Sequence, residues 1–101
     1  MYEKFIKIRG WAHQRNLING STPQAQFIKL MEEAGELAAG LARKNDSKVI
    51  DSIGDMVVVL TIMAEMYEFN IEGCIEAAYD EIKDRKGQMV DGVFVKEADI
   101  T

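Results

Sequence analysis

Among its 101 residues the chain has one cysteine, Cys74, one histidine, His13, and one proline, Pro23. A lone cysteine excludes a disulfide within the chain, and one Cys with one His falls short of a zinc-ligand set. A Cys–His nucleophilic pair would need those two residues to meet in space. With proline so scarce, little interrupts helix formation. Basic residues are also in deficit: 12 Lys and Arg stand against 17 Asp and Glu, a net charge of −5. Nucleic acid is therefore not the expected partner, because no basic surplus exists to drive counterion release. A small anionic substrate stays open, since a bound divalent cation reverses the local sign. Charges run through the N-terminal MYEKFIKIRG, unlike a signal peptide. The most apolar run, residues 56–64, is about half the length that crosses a bilayer. The expectation is a cytoplasmic protein without membrane association.

An apolar fraction of 48% with 29% charged residues fits a globular chain, and 101 residues make one domain spanning 1–101. Apolar residues recur mostly at helical spacing, which predicts an all-α bundle of four helices. The first covers residues 2–16, with Phe5, Ile8 and Ala12 at core spacing and Trp11 beside them. Asn19-Gly20-Ser21 breaks it, and Thr22 followed by Pro23 reads as an N-cap and first helical residue. The second helix, residues 23–44, carries the stripe Phe27, Leu30, Met31, Ala34, Leu37, Ala38 and Leu41. Asp46 is the expected cap of the third, residues 47–69. Asn70 marks the break before the fourth, in which Ile71, Cys74, Ile75, Ala78, Tyr79 and Ile82 form the core face up to Lys86-Gly87. Residues 89–95 could close as a short hairpin on Asp91-Gly92, or run as an extended tail.

Past Asp55 the third helix has almost no polar face: Met56, Val57, Val58, Val59, Leu60, Ile62, Met63, Ala64 and Met66 follow one another closely. A helix apolar all round is buried all round. Three companions of this length cover one side of it, so the expected bundle is completed by a homo-oligomer, dimer or tetramer.

The chemistry resides in two acidic clusters, Glu32-Glu33-Ala34-Gly35-Glu36 and Asp51-Ser52-Ile53-Gly54-Asp55. Glu33 and Glu36 lie about 60° apart around their helix, beside the apolar stripe, with Gln26 and Lys29 in the same arc. Asp51 and Asp55 are one turn apart and point nearly the same way. Val58, Val59 and Ile62 continue the Asp55 face, so this acid is aimed at a core, where an unpaired carboxylate is costly. Two antiparallel helices presenting these acids to one groove make a set of oxygen ligands for Mg²⁺, or Mn²⁺, shared with substrate phosphates.

EEAGEL followed by a helix reading IGDMVVVL resembles the MazG-like all-α nucleoside triphosphate pyrophosphohydrolases, whose signature is ExxE followed by ExxD on the next helix. The resemblance extends from the Trp11 helix to the closing YDEIKDRKG. It implies that Glu33 and Glu36 are the ExxE acids and Asp55 the last acid of ExxD, as metal ligands and catalytic residues. The first ExxD position is occupied by Ser52, and Asp51 is the natural substitute ligand. Asp80 stands where the family tends to have Asn, and is a candidate for binding substrate. The implied reaction is Mg²⁺-dependent hydrolysis of a nucleoside triphosphate to monophosphate and pyrophosphate, in nucleotide-pool control.

Lys29 sits one turn before Glu33. Lys83, Arg85 and Lys86 end the fourth helix, with Lys83 and Lys86 the better phosphate-binding candidates. Cations also belong at helix C-termini for dipole reasons alone. Trp11 is a candidate for stacking on a base, with His13 and Gln14 as weaker base readers. The rival function is a non-catalytic helical oligomerisation or regulatory module with merely solvated acids.

Overall fold

The computed structural model describes residues 2–100. It contains five α-helices, α1 (Glu3–Gln14), α2 (Leu17–Gly20), α3 (Pro23–Ala42), α4 (Asp46–Met66) and α5 (Ile71–Ile82), followed by strands β1 (Gly87–Val90) and β2 (Val93–Lys96) and a 3₁₀ turn at Glu97–Asp99. The architecture is mostly helical. The four long helices are those expected, and α2 is an added single turn. Asn16 makes it: with φ at 57° it takes the left-handed conformation that asparagine tolerates, ending α1 and redirecting the chain.

Local caps fix the helix starts. Thr22 Oγ1 accepts from Ala25 N at 3.0 Å, and Pro23 occupies the position where a missing N–H costs nothing. The cap of α4 is Asn45, whose Oδ1 accepts from Lys48 N at 3.2 Å, so Asp46 is its first helical residue rather than its cap. Asn70 Oδ1 accepts from Gly73 N at 2.7 Å and starts α5. The α3–α4 connection is tight because Gly40 lacks a side chain. A Cβ there would stand 3.2 Å from both the backbone nitrogen and a methyl of Val49.

α4 is the hub. It packs most extensively along α3 and also touches α1, α2 and α5. The buried apolar core is small: Ala12, Leu30, Val59, Ile62 and Ala64. Thr61, wholly buried, satisfies its hydroxyl by donating to Val57 O at 2.7 Å. On α3 the inward residues are Gln26, Leu30, Glu33 and Gly40; of the stripe expected from hydropathy Leu30 is buried and Ala34 and Leu37 are half-buried. That helix is turned so that Phe27, Met31 and Leu41 face outward. On α4 the residues Ile50, Ile53, Val57 and Leu60 form a second outward apolar stripe. Cys74, expected in the core, is exposed, and α5 buries no residue.

β1 and β2 pair antiparallel from Gly87↔Lys96 to Val90↔Val93. The turn residues Asp91 and Gly92 both have positive φ, the twist-matched geometry of a two-residue hairpin. The radius of gyration, 16.4 Å, exceeds the ~13 Å of a compact chain this long. No helix among the described residues is long and apolar enough to cross a membrane.

Candidate active site

Glu33 is the deepest acid of the molecule. It is 5% exposed, in the middle of the inward face of α3. One carboxylate oxygen, Oε1, lies 3.3 Å from Lys29 Nζ, one turn earlier on the helix. The other, Oε2, is buried with no hydrogen-bond partner. Such an atom loses its water without compensation, which normally costs several kcal/mol. Across the α3–α4 interface stands Asp55, half-buried. Its carboxyl is held above the usual carboxylate range, first by burial, then by the negative charges of Asp51 and Glu33, against a smaller opposing pull from Lys29. Lys29 is also held above its ordinary value, its ammonium favoured by the Glu33 contact and, more weakly, by Glu32 and Glu36. Two acids and one lysine thus share one cavity with negative charge left over.

Asp51 and Ser52 differ in placement although they are neighbours. Asp51 is exposed, whereas Ser52 is 1% exposed and its Oγ is a second buried atom without a partner. Glu36 is exposed beside the pocket. Among the described residues no three carboxylates already converge as a metal cage. The orphaned Glu33 oxygen and the strained charge of Asp55 are nevertheless what an oxygen-ligated cation would relieve, and Glu36 and Asp51 flank that place on the same two helices.

The acids open into a cavity of about 450 Å³ lined by Trp11, Leu17, Gln26, Lys29, Glu33, Asp55, Val58, Val59 and Ile62. A second cavity of about 430 Å³ shares Trp11, Asp55 and Val58 with it and is bounded by Lys4, Lys7 and Ile8. Trp11 therefore forms a wall between the two. The Arg15 guanidinium lies 4.6 Å from its ring centroid, so one face of the indole is already occupied.

Of the basic candidates, only Lys29 reaches this place. The fourth long helix stops at Ile82, earlier than expected, so Lys83, Arg85 and Lys86 follow it instead of ending it. Lys83 pairs with Asp80 at 3.3 Å and Arg85 with Glu81 at 3.0 Å. Asp80 lines a separate hollow with Tyr2, Ile75, Glu76 and Tyr79, and Lys86 another beside β1. Neither they nor Lys83 line the acidic cavity of their own chain. His13 is engaged by Glu65 at 2.6 Å. Lys4, Lys7 and Leu17 were missed, although Lys4, Lys7 and Trp11 recur at helical spacing, a signal that one face of α1 carries cations next to an aromatic.

Residues 21–90 match the family model of the MazG nucleotide pyrophosphohydrolase domain. Over 64 residues, 62% of this chain, the sequence is 53% identical to the "Uncharacterized 18.2 kDa protein in rep-hol intergenic region" of Haemophilus phage HP1 (strain HP1c1). The chain spans 39% of the length of that phage protein. No solved structure matches at a significant level. The family match begins one residue before the cap of α3 and runs through both acidic helices, and on that match the chain belongs to the MazG nucleotide pyrophosphohydrolase family.

Proposed function

We propose that the chain hydrolyses a nucleoside or deoxynucleoside triphosphate to its monophosphate and pyrophosphate in the cavity between α1, α3 and α4. The observation that carries this reading is the sealed Glu33 carboxylate, half unpartnered, facing Asp55 in a cavity large enough for a nucleotide. Mg²⁺, or Mn²⁺, would be held by Glu33, Glu36 and Asp55 together with Asp51. When bound it supplies charge against the phosphates and polarises a phosphoryl oxygen.

The chain's own residues do the rest. Lys29 fixes Glu33 through Oε1, and Oε2 keeps no partner within the chain. Trp11, Leu17, Val59 and Ile62 offer apolar walls that exclude water from the reacting end and accept a base or sugar. Lys4 and Lys7, beyond Asp55, offer cations to the outer phosphates. One of the carboxylates orients the attacking water, and catalysis rests on positioning and charge neutralisation. The working species is a homo-oligomer, supported by the outward apolar stripes of α3 and α4.

The deciding experiment incubates the protein with canonical and damaged nucleotides and Mg²⁺ and detects pyrophosphate directly. Pyrophosphate that disappears in excess EDTA is the expected result. Orthophosphate alone, or activity undiminished by EDTA, overturns the reading.

A further inference from the structure

Arg9 and Trp11 stand two residues apart on α1 and point in nearly opposite directions, about 160° apart around the helix. Lys4, Lys7, Ile8 and Trp11 share an arc of about 100° and line the second cavity together. On the far side of α1, Arg9 and His13 lie one turn from each other, and acids of two other helices hold them. Arg9 Nη1 and Nη2 donate to Oε1 and Oε2 of Glu72 on α5, at 2.5 and 2.9 Å. His13 Nε2 lies 2.6 Å from Glu65 Oε2 on α4. The Arg9 and Glu72 side chains are 18% and 16% exposed, so their pair is better shielded than a surface pair. Its two parallel bonds fix orientation as well as distance.

Little else keys α1 at one rotation. Ala12 is the one buried residue of that helix, and its methyl is a small knob; Phe5 and Ile8 are half-buried. α1 packs on α4 and α2, and α5 packs on α4. Between the Tyr2 end of α1 and α5 lies the hollow lined by Ile75, Glu76, Tyr79 and Asp80, not a packed contact. The Arg9 fork therefore bridges two helices that otherwise barely meet. Resting on the triphosphate reading, we infer that Arg9 is a positioning residue: its pair with Glu72 sets the roll of α1 and so holds Trp11, Lys4 and Lys7 in place for the substrate. Neither Arg9 nor Glu72 lines either of the two cavities that Trp11 divides, so their influence on a bound nucleotide passes through α1. The acids of the site stand on α3 and α4, outside the helix that rolls. Loss of the pair weakens substrate binding and spares the chemical step.

Trp11 is the sole tryptophan of the chain, so its fluorescence reports the roll without any substrate. The test uses Arg9→Gln, Glu72→Gln and the double variant, each in the full chain at a temperature where circular dichroism shows it folded. Both single variants should shift the Trp11 emission and alter its quenching by acrylamide to the same extent, and the double variant should add nothing, because either change breaks one link. With a nucleoside triphosphate, KM should rise roughly tenfold while kcat stays within about twofold, the pattern of lost uniform binding. Glu72→Gln is the sharper arm, since it alters a different helix. Unchanged Trp11 emission and unchanged KM in folded Glu72→Gln overturn the inference. A fall in kcat at constant KM also overturns it, as that is the mark of a smaller active fraction. If Arg9→Gln does not fold, Glu72→Gln decides alone. Should no nucleotide be turned over by wild type, the triphosphate reading falls, and the Trp11 signal still decides whether the pair sets the roll.

Discussion

Asp55 and Glu33 meet across the α3–α4 interface, and neither is balanced there: Lys29 serves one oxygen of Glu33, and nothing serves the other. Burial and the charges of Asp51 and Glu33 raise the Asp55 pKa, so the folded chain holds that proton more tightly than the unfolded chain. Stability is then greatest with Asp55 protonated. It falls as pH rises from the ordinary value of 3.8 through the raised folded value.

Asp55→Asn should therefore stabilise the metal-free protein at neutral pH, by a few degrees in Tm for ~1 kcal/mol, while abolishing turnover. Thermal melts between pH 4 and 8 check it. The wild-type melting temperature should decline over that range relative to Asp55→Asn. A variant no more stable than wild type at neutral pH would mean that Asp55 already has a partner.

Glu33→Gln and Glu36→Gln should both lower kcat by at least ~100-fold, since each removes a charge placed to act on the phosphates. Their effects on stability should differ. Glu33 is buried and bound to Lys29, so Glu33→Gln trades an ion pair for relief of an orphaned oxygen and changes the metal-free Tm. Glu36 is exposed, and its substitution should leave the metal-free stability within ~0.5 kcal/mol of wild type. Near-native kcat in Glu36→Gln would take Glu36 out of the site.

The contrast between Asp51 and Ser52 gives a third expectation. Asp51→Asn should weaken Mg²⁺ binding strongly, and Ser52→Ala should weaken it less, because an exposed carboxylate can swing toward a cation. Calorimetric titration of Mg²⁺ into both variants measures this, and the reverse order would assign the ligand to Ser52. Ser52→Glu, which restores the ExxD spacing, would place a carboxylate where the present side chain is 1% exposed, so it should lower stability without metal.

Much of this was legible in the sequence, and the failures have physical causes. Thr22-Pro23 and Asn70 announce helix starts because capping is a local interaction within four residues. Lys29 and Glu33 were recognisable as neighbours because helical spacing alone places them, and Asp55 joined them through the expected antiparallel packing of the two acidic helices. The rotation of α3 was not. Hydropathy assigns Phe27 and Met31 to the inside and a glutamate to the edge, yet a cavity that must take charge reverses that preference. Gln26 was visible in the right arc, but nothing in the sequence says that Ser21, across a turn, would hold its amide. The roles of Lys83 and Lys86 depended on α5 continuing past Ile82. Its end there, followed by the turn into β1, puts Lys86 beside another hollow and leaves Lys83 paired with Asp80.

The outward stripes lead to the last expectation, that the folded and active species is an oligomer joined through α4. Ile50, Ile53, Val57 and Leu60 run along one side of that helix, each more than a third exposed. Below them Leu60, Met63, Ala64 and Tyr67 form an open apolar groove with Ile71, Cys74, Ile75 and Ala78 of α5. Fully burying a Val, Leu or Ile gains roughly 1.5–3 kcal/mol. Four of them left half in water forgo on the order of 3–6 kcal/mol, a large share of the 5–15 kcal/mol that keeps a domain folded. The extended radius of gyration and the lack of any buried residue in α5 agree with a chain whose packing is unfinished alone. A second copy related by a two-fold axis would set each stripe against its equivalent. The melting temperature should then rise with protein concentration, and Leu60→Glu should dissociate and unfold the protein in one transition. Sedimentation equilibrium at micromolar concentration decides the matter: a folded, active species at the monomer mass of 11.4 kDa would refute it.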